Sequence, residues 1–207
     1  MKKTVFFSLL SFLSGSLFAQ FTISPVVAAN FSKISVNNKD FKTSPVLRYT
    51  LGVQPVYHFS EKTAVGLGVQ LTTKGFKDGP GVYSLDEESK FQYVEVNPFF
   101  EYRPLKFLGV IAGGNIGHLN SYEFKYGGVW QKAKHDLIAH KKWDVEFAGG
   151  LKYYLGDAFV SLLFSQSILP ILELDFTDEN GNPISALKEY HQSLSLGLGY
   201  NFHLKKK

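Results

Sequence analysis

Eight charged residues recur within strand-like, otherwise apolar stretches: Arg48, Lys74, Glu95, Glu101, Arg103, Asp144, Glu146 and Lys152. In each stretch the charge falls on the opposite parity from the large apolar residues, as with Glu95, Asn97, Glu101 and Arg103 against Val94, Val96, Phe100 and Tyr102. Successive side chains of a strand point to opposite faces, so the four bases and four acids are expected on one common side. Charges crowded in a narrow interior are costly unless paired, and a mutually neutralising salt-bridge network is the expected arrangement. Such a network either plugs the interior or forms a small gated pore in which Arg48 or Lys152 exchanges carboxylate partners.

Other constellations carry less chemistry. His135, with Asp136 beside it, and His140 suggest a metal or catalytic reading. Nucleophilic hydrolysis needs a Ser with a His and an orienting acid, and no short segment gathers these. Asp178-x-Asn180-x-Asn182 lacks the Gly and distal Glu of a calcium loop; Asn180-Gly181 before Pro183 reads better as a hairpin turn. No catalytic residue, metal site or cofactor is assigned, and a chain without cysteine has neither disulfides nor thiolate ligands. From Asn120 to Lys142, Tyr122, Phe124, Tyr126 and Trp130 mix with Lys125, Lys132, Lys134, Lys141 and Lys142. Cations interleaved with aromatics suit a solvated rim, or contact with lipid phosphates, a polyanion or a protein partner. Within it, Gln131 to Lys142 is expected to form a short helix, because Ala133, Leu137 and Ile138 would share a face.

The elements that must position these groups show a period of two. In the last stretch Leu194, Leu196, Leu198, Tyr200 and Phe202 alternate with Ser193, Ser195, Gly197, Gly199 and Asn201. Eight such segments are expected: Phe21 to about Phe31, Val46 to Phe59, Ala64 to Gly75, the stretch around Val94 to Arg103, Phe107 to Leu119, Trp143 to Leu155, Val160 to Ile168, and Tyr190 to Phe202. The Gly-rich fifth shows no clear face. Brief links at Ser60 to Thr63, Pro104 to Lys106 and Gly156 to Ala158 alternate with long ones at Ser32 to Pro45, Phe76 to Lys90, Asn120 to Lys142 and Pro170 to Glu189. Pro25, Pro55 and Pro98 fall inside strands, where each deletes a ladder donor, and the first strand is expected to be irregular around Pro25.

Short and long links in strict alternation predict an all-β fold, an eight-stranded antiparallel up-and-down transmembrane β-barrel over residues 20–207. Lys2 and Lys3 ahead of an apolar run from Val5 to Phe18, closing at Ala19, read as a cleaved secretory signal over residues 1–19. Without those two lysines the balance is 20 bases to 18 acids, which excludes a strongly basic nucleic-acid binder. The rival is a soluble barrel with its apolar side inward around a ligand. Its outer surface would then be Gly, Ala and Ser, whereas small residues suit a crowded interior. Tyr57, Phe59, Tyr102, Trp143, Tyr153, Tyr200 and Phe202 suit girdles at membrane interfaces.

In this layout, in Val94-Glu95-Val96-Asn97-Pro98 and in the Gly-rich stretch from Gly109 to Gly117, the chain resembles the PorT-like outer-membrane barrels of OmpA/OmpX-like architecture. Its end, Ser195-x-Gly197-x-x-Tyr200-x-Phe202, resembles the terminal-strand signal read by the barrel-assembly machinery, although His203, Leu204 and Lys205 to Lys207 follow the final aromatic. The resemblance implies the Gram-negative outer membrane, lipid and the assembly machinery as partners, and an envelope protein engaged through external loops. It also implies a non-enzymatic structural or interaction role, as an accessory of a larger envelope or secretion complex. A narrow gated porin and a membrane-embedded lipid-modifying enzyme are the alternatives.

Overall fold

Alternating segments leave both strand edges in need of partners, and closing the sheet removes every edge at once. The computed structural model describes residues 21–37, 42–78, 88–133, 140–177 and 183–204. Every regular element among them is a strand: β1 (Phe21–Val36), β2 (Thr43–Ser44), β3 (Val46–His58), β4 (Thr63–Asp78), β5 (Glu88–Leu105), β6 (Leu108–Tyr126), β7 (Val129–Lys132), β8 (Trp143–Leu155), β9 (Ala158–Ser167), β10 (Leu172–Thr177), β11 (Pro183–Tyr200) and β12 (Phe202–His203). The order β11-β9-β8-β6-β5-β4-β3-β1 is antiparallel throughout, and β11 returns to β1 from Val26↔Gly199 to Val36↔Glu189. These eight strands form a closed barrel, with β2, β7, β10 and β12 as short additions.

Tight turns join β3 to β4, β5 to β6 and β8 to β9; this is the turn end, where β1 also begins and β12 lies. The opposite, hairpin end reaches further than the sequence suggests. Much of the expected long links is strand: β6 runs on to Tyr126 and returns as β7, while β10 pairs β11 from Leu172↔Glu189 to Thr177↔Pro183. Gln131 and Lys132 belong to β7, not to the expected helix, because Gly127 and Gly128 take positive φ (57° and 83°) and fold Tyr126 against Val129. The expected signal, Lys134, His135, Asp136, the turn at Asn180-Gly181 with its calcium-like neighbours Asp178 and Asn182, and Lys205 to Lys207 lie outside the described residues.

The prolines inside β1, β3 and the middle of β5, Pro25, Pro55 and Pro98, are each accommodated by a lapse in one ladder. Pairing of β1 with the last strands skips Ser24 and Pro25, β3 with β4 skips Gln54 and Pro55, and β5 with β6 skips Asn97 and Pro98. The register is the same on both sides of every lapse, so β1 is interrupted at Pro25 only in its pairing and stays continuous as a strand. Side chains bridge two of the lapses: Ser24 Oγ donates to Asn201 Oδ1 (2.6 Å) and Asn97 Nδ2 to Asn115 Oδ1 (2.6 Å).

The faces decide between the membrane and soluble readings. Leu47, Leu67 and Leu196 point outward at 60%, 51% and 51% exposure, whereas Lys74, Glu95 and Glu146 are buried inside at 2%, 0% and 2%. A water-soluble barrel has the reverse polarity; an apolar exterior around a polar interior is that of a barrel in lipid. Phe59, Tyr102, Tyr153, Tyr200 and Phe202 ring the turn end on the outside, Tyr57 is half-buried beside Phe21 and Phe59, and Trp143 stands at the hairpin end against His118. The blurred fifth segment acquires faces too. Val110 and Ile116 point out, while Gly109, Ile111, Gly117 and Leu119 point in.

The barrel interior as candidate functional site

The inner faces of β4, β5 and β8 place three carboxylates around one ammonium. Lys74 Nζ lies 2.7 Å from Glu95 Oε1, 3.0 Å from Asp144 Oδ2 and 2.9 Å from Glu146 Oε1, with the Tyr93 ring 5.0 Å away. Neutral donors hold the outer oxygens: Gln70 Nε2 and Thr72 Oγ1 on Glu95, Ser167 Oγ on Asp144, and Asn115 Nδ2 on Glu146. With one formal cation to three formal anions, these donors supply what the lysine alone cannot.

A second cluster lies toward the turn end and inverts the ratio. Glu101 takes Arg103 Nε at 2.6 Å, Lys152 Nζ at 3.6 Å and the Tyr154 hydroxyl. Lys152 Nζ also donates to Gln54 (3.2 Å) and sits over two rings, Phe99 at 4.7 Å and Phe159 at 4.6 Å. Aromatic faces stabilise a desolvated ammonium that one shared carboxylate only partly compensates. Between the clusters is a cavity of about 70 Å³ lined by Gln54, Gln70, Asn97, Asn115, Ser165 and Ser195 among others. It has the size and polarity to hold water.

The expected network of eight therefore divides. Seven of its members form these two clusters. Arg48 stands apart at the hairpin end, 2.6 Å from Glu88, a residue outside the expected set. Three bases and four acids remain inside, so the even balance read from the sequence does not hold there. The cause is register: β3 carries Arg48 up to the first residue of β5, beyond the reach of the Lys74 group.

Sequence reasoning also missed the apolar layer above Lys74. Ile34, Phe91, Tyr93, Leu119 and Ile171 are buried inside the hairpin end. Phe91 stacks on Tyr122 (4.7 Å) and meets His140 and His191 edge-on (4.9 Å each), and Tyr93 hydroxyl lies 3.2 Å from His191 Nε2. Phe91 and Tyr93 share their parity with Glu95, and that parity was the available signal. Strand aromatics read as lipid-facing because the period alone gives no reason to put them beside charges. Of the terminal-strand residues, Ser195 and Gly197 turn inward, and Tyr200 and Phe202 face out at 43% and 55% exposure.

With a buried polar interior and an apolar belt in place, comparison with solved structures is direct. The chain matches Ail, the attachment invasion locus protein of Yersinia pestis, over 87% of its own length and 99% of Ail's, with TM-score 0.51 and 16% identity. The structure of Ail with the heparin analogue sucrose octasulfate aligns similarly, at TM-score 0.50, 14% identity and the same coverage. Neisserial surface protein A aligns over 88% of this chain and 97% of its own, with TM-score 0.50 and 10% identity. The fold is that of an eight-stranded transmembrane barrel. At these identities the likeness is one of fold alone. No protein-family profile matches the chain, and no curated protein matches it in sequence.

Proposed function

We propose that the chain is a non-enzymatic outer-membrane protein of a Gram-negative envelope, delivered by a cleaved signal over residues 1–19, with a structural or interaction role borne by its hairpin end. The observation that carries this reading is the filled interior. Beneath the apolar layer around Phe91 lies the Lys74 cluster, and an interior taken up by these two layers leaves the β6–β7 and β10–β11 hairpins as the surface to act. Val129 and Trp130 are 63% and 41% exposed there, as expected of residues available to a partner. The PorT-like resemblance makes that partner a component of a larger envelope or secretion complex, and Ser195, Gly197, Tyr200 and Phe202 the signal for the assembly machinery.

The test is expression in a Gram-negative host, isolation of outer membranes, and crosslinked co-purification with and without the β6–β7 hairpin tip. A heat-shifting band in the outer membrane, with an envelope partner lost on tip deletion, is expected. A soluble product, or a partner set unchanged by the deletion, overturns the reading.

A narrow porin is the second reading, favoured by one observation: polar side chains continue from the turn end through the cavity to Lys74. Single-channel openings in planar bilayers that change on Glu95→Ala and Glu146→Ala would establish it, and silence in both forms would dismiss it.

A further inference from the structure

At the turn end the barrel opens into a cleft of about 350 Å³ lined by Thr22, His58, Ser60, Glu61, Arg103 and His203, among others. Its floor is the solvent-facing edge of the Glu101 cluster, in which a single carboxylate is shared by two cations, Arg103 and Lys152. Arg103 is the member that reaches the cleft, at 21% side-chain exposure. Its Nε is committed to Glu101 and its Nη2 to the Tyr154 hydroxyl (2.9 Å), with the guanidinium stacked 4.1 Å above the Tyr154 ring. Nη1 donates to nothing among the described residues. The guanidinium is thus held rigid, with one donor face and a fraction of its charge left over.

Two imidazoles line the same opening. His58 is oriented by Thr22, whose Oγ1 lies 3.1 Å from Nε2, and His203 by Asp157, whose Oδ1 lies 3.1 Å from its Nε2. Each is fixed through Nε2, His58 by the β1 strand and His203 by the β8–β9 turn. The one carboxylate in the lining, Glu61, sits on the exposed β3–β4 turn, and Asp157 is already engaged by His203. A fixed guanidinium with spare donors, backed by a buried ammonium and flanked by imidazoles, is the chemistry that recognises a small oxyanion.

We propose that this cleft is a binding site for a phosphate-type oxyanion, held by Arg103 with His58 and His203 as flanking donors. The anion completes the charge that Glu101 leaves uncompensated. The same chemistry is offered by a free phosphate or phosphomonoester in the adjoining aqueous space and by the headgroup of an anionic phospholipid in the near leaflet.

The test is imidazole NMR of the full-length barrel, first in a non-ionic detergent titrated with inorganic phosphate at constant ionic strength. Saturable shifts at His58 and His203, with His118 unmoved, are expected. Arg103→Gln should weaken phosphate about tenfold, the loss expected for one charge-assisted contact. Because Arg103 also supports Glu101, the exposed His203→Gln variant provides a second measurement that leaves the buried cluster intact; it should weaken binding about threefold. In nanodiscs, His58 shifts already at their endpoint with phosphatidylglycerol but not with phosphatidylcholine would identify the lipid headgroup as the source. Free response to phosphate in both discs would identify the soluble anion. Linear, unsaturable shifts in detergent, or shifts identical in wild type and both variants, overturn the site.

Discussion

The ring of Phe99 occupies the space into which a side chain on Gly66 would project. The two residues are register partners on β4 and β5, and a Cβ on Gly66 would run into the ring's far edge. The glycine is what lets a phenyl ring lie inside the barrel under the Lys152 ammonium. Gly66→Val should therefore destabilise the barrel by about 1–3 kcal/mol through overpacking. Guanidinium unfolding in lipid vesicles measures it, and adding Phe99→Ala should recover part of the loss. A double variant no more stable than Gly66→Val alone would show that the ring is not the obstacle.

Lys74 is the sole cation touching Glu95, Asp144 and Glu146 among the described residues. Lys74→Met leaves three buried carboxylates facing one another, with an expected cost of about 3–5 kcal/mol. Converting the three acids to Gln, Asn and Gln in the same chain should restore most of it, since the penalty arises from unpaired charge rather than lost volume. Denaturation midpoints of wild type, single and quadruple variants decide the matter; a single variant as stable as wild type contradicts the account.

The β6–β7 turn depends on left-handed backbone at Gly127 and Gly128, and a Cβ at either meets nothing within 4 Å. Conformation rather than space is the constraint there. Gly127→Asn should be tolerated, because Asn adopts this region readily, whereas Gly128→Val should loosen Val129–Lys132 from β6. Hydrogen exchange at those amides should rise in the Val variant alone, with the barrel's global unfolding unchanged.

Glu173 sits on β10 between Lys188 Nζ at 2.7 Å and Lys141 Nζ at 3.1 Å. Hydrogen bonds from Lys188 and then Lys141 hold its carboxyl below the usual Glu value. A depressed folded-state value means that the tie is fully present above the unfolded-state value and is lost as pH falls through the folded one. Carboxyl NMR should place the Glu173 midpoint low in wild type and higher in Lys188→Met. A midpoint that does not move between the two removes Lys188 as the cause.

The amino-acid sequence by itself determined the strands and their two faces. A period of two is a property of the strand, and Leu194 to Phe202 or Trp143 to Leu155 can satisfy it in only one way. It also put Lys74, Glu95, Asp144, Glu146, Glu101, Arg103 and Lys152 on the face opposite the apolar residues. Parity says nothing about height, and height is what pairs charges. Only the closed sheet, with its fixed registers, decided that Lys74 gathers three acids, that Arg103 and Lys152 share Glu101, and that Arg48 departs to Glu88. The inward aromatics were legible only with their neighbours in view. Phe99 lies inside because Gly66 stands opposite it, and Phe159 because Gly199 does, a relation that only the registers of β4 on β5 and of β9 on β11 fix.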